Sequence, residues 1–142
     1  RELNPKAIQS SKVEPSRGLD RQELARLVSQ ASAGNWQHAR QGAAALANRL
    51  ENLEPALLYN VACLHSLLAR AIQNDQSLTA PKRKALVAEH QKQALTILHQ
   101  LKAQIRQNVR LLQALKNDLA RDFLPLKDHP RMKELMRDLK II

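Results

Sequence analysis

Apolar positions are scattered without period over residues 1–18, RELNPKAIQSSKVEPSRG, which carry Pro5 and Pro15 and read as a linker or tail. From Leu19 the pattern changes. Leu24, Leu27, Val28 and Ala31 recur at steps of three and four, the mark of a helix with one buried face. Asp20 is the expected N-cap, with Glu23 as its capping-box partner. Gly34 can take the left-handed conformation that stops a helix, and Asn35 is placed to cap the next. In that second helix Trp36, Ala39, Ala43, Leu46 and Leu50 form a stripe whose middle is small. The two helices therefore meet across almost no loop, as an antiparallel hairpin.

A third helix is expected from Pro55, with Leu58, Val61, Ala62, His65, Leu68, Ala69 and Ile72 on its inner face. DQSLTAP is a polar turn, and Pro81 opens a fourth helix carrying Val87, His90, Ala94, Ile97, Leu98 and Leu101 inward. NVRLLQALKNDL and PRMKELMRDL supply two more helices, although no strong breaker at Gln104 and Ile105 prevents the fourth and fifth from fusing into one rod. Between the last two, FLPLKDHP is expected to be extended, because Pro125 and Pro130 bias the residues before them away from helix. The pattern implies an all-α fold of five to six helices ending in a capping helix. Its divisions are a first hairpin at 19–54, a second with an enlarged turn at 55–103, and C-terminal helices at 104–142.

Composition supports this class. The chain has 142 residues, 44% of them hydrophobic, but only Trp36, Tyr59 and Phe123 are aromatic and β-branched residues are few. Cys63 is the single cysteine, which excludes an internal disulfide and a thiolate zinc cluster and suits a reducing, cytoplasmic setting. No run of 18 or more consecutive apolar residues suggests a membrane span. The start at Arg1 rather than Met reads as a piece of a longer chain.

The stripes also repeat. Ala39, Ala43 and Leu46 are matched by Ala94, Leu98 and Leu101 at the same spacing, as in stacked hairpins that share a core. GNWQHA and LLYNVACLHSLLA resemble the inter-helix turn and the start of the following repeat in tetratricopeptide-repeat proteins, over roughly Leu19 to Leu101. The repeat is degenerate: Ala39 and Ala94 lie 55 apart, against about 34 in the family, and Leu27 stands where the family has a small residue. ALKNDLARDFLPLKDHPRMKELM further resembles the C-terminal repeat region of bacterial, planctomycete-type eukaryotic-like serine/threonine kinases, through Leu124, Leu126, Pro130, Met132 and Leu135. The first resemblance implies a protein-interaction scaffold whose concave surface holds Tyr59, Asn60, Cys63, Ser66 and Leu67. Gly34, Trp36, Ala39, Ala43, Ala62 and Ala94 are then packing positions. The second implies a parent chain with a kinase domain.

No catalytic constellation is legible. His90 and His99 fall on opposite helix faces, no His-x-x-x-His pair exists, and the glycines are isolated, so no metal, cofactor or nucleotide site is expected. His65 and His90 read as core residues with one nitrogen bonded. Charge leaves a second function class open. The net charge is +10, and ten Lys and Arg against five Asp and Glu lie from Lys102 onward. Lys82, Arg83, Lys84, Arg106 and Arg110 form a candidate basic patch, suited to an acidic protein partner or, alternatively, to phosphates of nucleic acid. Three aromatics give no stacking platform for single strands, which favours the protein partner.

Overall fold

The computed structural model describes residues 21–47, 49 and 53–141. The expected linker, the Asp20 cap and Leu50 lie outside the described residues. The described residues are all-helical: α1 over 21–32, α2 Trp36–Leu46, α3 Pro55–Gln73, α4 Ala80–Gln100, α5 Lys102–Gln107, α6 Val109–Asp118, a 3-10 turn Leu124–Leu126, and α7 Pro130–Asp138. No strand occurs among the described residues.

Local chemistry sets most boundaries. Gly34 ends α1 at φ +91°, with its N–H on the Ala31 carbonyl and the Asn35 N–H on Gln30, the paired bonds of a Schellman stop. Asn35 stands at the N-cap of α2 but its side chain makes no cap bond. Pro55 and Pro81 sit in the first turns of α3 and α4, where a missing N–H costs nothing. The rod through Gln104 and Ile105 does not form. Leu101 interrupts the helix, and at Asn108 the backbone extends while the Asn108 carboxamide oxygen accepts from the Arg110 and Leu111 N–H groups, starting α6 afresh. FLPLKDHP is not extended either. Pro125 lies in the first turn of the 3-10 segment, and successive backbone bonds from Leu126 to Phe123, Lys127 to Leu124 and His129 to Leu126 coil it. The coil turns Phe123 and Leu126 fully inward, where an extended strand would point alternate residues away.

Packing centres on α3. Every residue from Val61 to Ala69 is buried, so this helix has no broad solvent face along its middle. α2 packs on one side, α4 runs antiparallel along another, and the 3-10 turn closes a third. α3 is also the one described helix long and apolar enough, by length and composition, to cross a membrane, and 67% of that stretch is buried inside the chain. Ala39, Ala62 and Ala94 are wholly buried and Ala43 nearly so, consistent with close helix approach. The 55-residue separation of Ala39 and Ala94 spans a long α3 of 19 residues, the 74–79 turn and much of the 21-residue α4.

Two contacts fix the first hairpin. A Cβ at Gly42 would overlap the terminal methyls of Leu27, itself 1% exposed, so the large residue on α1 is accommodated by the missing side chain on α2. At the other end the Trp36 indole N–H donates to Asp75 Oδ2 at 2.8 Å, joining the α1–α2 turn to the α3–α4 turn. Ser77 holds the same carboxylate through its N–H and hydroxyl.

Gly42→Ala is expected to destabilise the protein by about 1 kcal/mol, overpacking against Leu27 outweighing the gain in helix propensity. In a Leu27→Ala background the same change should become stabilising, a sign reversal that paired denaturant melts detect. Trp36→Phe deletes the indole donor together with part of the buried ring, and should cost about 1 to 2 kcal/mol in the same measurement.

Candidate functional site

α2 and α4 both lean on α3 without closing on each other, and the gap between them is a groove of about 1070 Å³. Its α4 wall runs from Lys82 through Leu86, Gln93 and Ile97 to Gln100, a helical length of roughly 27 Å. Its α2 wall offers Trp36, Ala43, Ala44 and Ala47. The alanines keep that wall shallow. Three cations, Arg40, Lys82 and Lys92, and one carboxylate, Glu89, line it.

The two walls meet polar chemistry in the middle. Arg40 on α2 spans the gap, donating from Nε to His90 Nε2 at 3.1 Å and from a terminal nitrogen to Glu89 at 3.2 Å. Behind His90, its Nδ1 lies 3.0 Å from Nδ1 of His65 on α3, with the two rings nearly parallel. Sequence placed both histidines inside but gave no sign that they touch, since 25 residues separate them. Burial holds both well below the ordinary imidazole range. His65 is lowered to about 3 by desolvation and then by the His90 ring. His90 is lowered to about 4 by desolvation, with Arg40 adding to the effect and Glu89 opposing it. Both are neutral at pH 7.

The surface expected from Tyr59, Asn60, Cys63, Ser66 and Leu67 is covered by the chain itself. Tyr59, Cys63, Ser66 and Leu67 are buried; Asn60 alone is exposed. The segment from Asp118 to Phe123 lies on this face. Tyr59 donates its hydroxyl to Asp118 at 2.7 Å and stacks edge-on with Phe123, while Ser66 and Arg70 donate to the backbone carbonyls of Asp122 and Arg121. Ligand atoms of Cys63, Asp118 and Asp122 come within 4.8 Å of one another, near enough to share a cation. The chemistry opposes it. Burial, then Asp118 and Asp122, raises the Cys63 thiol well above its ordinary range, so it remains protonated, and Tyr59 already holds Asp118. Asp122 is itself raised, by desolvation and by Asp118.

The cations do not gather into one patch. Lys82 and Lys84 are exposed at the start of α4, and Arg83 bonds the Asp75 carbonyl. Arg106 and Arg110 follow the far end of that helix, roughly 30 Å away along its axis. Arg106 bonds the Asp138 carbonyl and Lys102 the Asp138 carboxylate, so both serve the C-terminus of α7, where helix carbonyls favour positive charge. Comparison with protein-family models, with curated proteins and with solved structures returned no match in any of the three.

The histidine pair gives the fold a pH dependence of definite sign. Because folded values lie below the unfolded value of about 6.5, the unfolded chain binds more protons as pH falls. The stabilisation is therefore complete above that value and lost on acidification towards the folded values near 4 and 3. Stability should fall by roughly 1 kcal/mol or more per pH unit between about pH 6 and 5. Denaturant melts of a His65→Leu, His90→Leu double variant should show that slope reduced.

Proposed function

We propose that this chain is a protein-interaction module, a degenerate tetratricopeptide-like scaffold, that docks an amphipathic partner helix with acidic flanks between α2 and α4. The groove itself carries the reading: two helices present facing stripes, share a floor and leave a helix-sized gap unfilled by any described segment. Helix-in-groove recognition needs such apolar walls, here Trp36, Leu86, Ile97 and the α2 alanines. The sign of the partner follows from charge. Glu89 is engaged by Arg40, whereas Lys82 and Lys92 are exposed and have no ion-pair partner among the described residues. The net charge of +10 steers acidic partners in the same direction. Likeness of the closing segment to kinase C-terminal repeats makes a serine/threonine kinase the parent chain we favour, with this module its docking region.

An amphipathic peptide of about five helical turns, roughly 18 residues, with a Leu/Ala face and Glu flanks serves as probe in fluorescence anisotropy. Ala44 is exposed in the groove wall and Ala45 is exposed outside it. Ala44→Glu should weaken binding by roughly tenfold or more through bulk and like charge, while Ala45→Glu leaves it nearly unchanged. Equal effects from both variants sink the groove assignment. Tight binding to duplex DNA or RNA that collapses steeply with added salt would instead make the basic surface a nucleic-acid interface.

A further inference from the structure

One polar group in the groove is unused by the packing, and the hydrogen-bond polarity around it is forced. Arg40 is always protonated and can only donate, so His90 Nε2 must accept from it. His90, neutral, then carries its proton on Nδ1 and donates to His65 Nδ1 at 3.0 Å. His65 in turn must carry its own proton on Nε2. Arg40, His90 and His65 thus form a one-way chain of donors that ends on α3, beneath the groove.

His65 is 7% exposed and lines the groove floor, and its one hydrogen bond runs from Nδ1 to His90, with no acceptor for its Nε2–H among the described residues. This nitrogen is not among the fully enclosed polar atoms, so in the free protein it meets solvent; a docked helix that displaces that solvent must supply an acceptor, because a buried donor without one costs free energy. The His65 hydrogen bond within the core uses Nδ1 and leaves Nε2 facing the groove. We infer that the docked helix carries a carboxylate at the centre of its buried face, and that this carboxylate accepts from His65 Nε2–H. A carboxylate suits the place better than a neutral acceptor. Arg40 lies at the other end of the same hydrogen-bond chain, and cations outnumber carboxylates around the groove. The inference rests on the docking reading above and assigns the specificity-determining position within it. His65 is a recognition residue, and Arg40 and His90 position its proton.

The test uses three peptides of the probe sequence that differ only at the central residue of the apolar face, Glu, Gln or Leu. Wild-type protein should bind the Glu peptide roughly tenfold more tightly than the Leu peptide, the scale of one hydrogen bond to a charged group, with Gln between. His65→Leu should abolish or reverse that order, and His65→Gln, which retains a side-chain donor, should restore part of it. Long-range proton–nitrogen spectra of the free wild-type protein provide a measurement that needs no variant: His65 should be protonated on Nε2 and His90 on Nδ1. The Leu peptide binding as well as the Glu peptide, or the opposite tautomers, overturns the inference while leaving the groove intact. Failure of all three peptides to bind removes the docking reading, and this inference with it.

Discussion

The burial of α3 is the constraint from which the other features follow. A helix buried at every position from Val61 to Ala69 cannot rest on a single neighbour, because one partner covers only one stripe of its circumference. The chain must supply cover on several sides. It does so with α2, with α4, and with the return from α6 through the 3-10 turn, so a residue of almost any orientation on α3 finds a partner. Leu64 and Leu68 meet hydrocarbon, Tyr59 and Ser66 meet the 118–123 segment, and His65 meets His90.

The same arrangement produces the groove. α2 and α4 each pack on α3 rather than closing on each other, and the space between them stays open. Alanines on α2 widen it further. The polar centre stands where apolar side chains would otherwise have closed it, and Arg40 bridges the walls through His90 and Glu89. Buried imidazoles are tolerated there because they are neutral and bonded to each other, at the cost of acid sensitivity.

Several features were readable from residue order because they depend on neighbours in sequence. Gly34 stopping α1, prolines opening α3 and α4, and the stripes at steps of three and four are local consequences of backbone geometry and helical period. FLPLKDHP coils for the opposite reason, a demand of distant packing. Proline preference before Pro125 and Pro130 is a local bias, and the need to turn both Phe123 and Leu126 into the core outweighed it. The break between α5 and α6 has a short-range cause, the Asn108 side-chain cap, and that signal stands in the sequence at the head of NVRLLQALKNDL.

The site divides along the same line. Sequence alone determined that the chain is all-α, that Trp36, Ala39, Ala43, Ala62 and Ala94 are apolar-face residues, and that His65 and His90 sit among them, since period and composition are properties of the chain itself. Only the tertiary structure decided that Tyr59, Cys63 and Ser66 face the chain's own C-terminal segment, that Leu27 fits against Gly42, and that the open surface lies between α2 and α4. Periodicity gives the face of a helix on which a residue lies. Which element covers that face depends on helix lengths, crossing geometry and the path of the chain, and those are set by packing residues far apart in sequence.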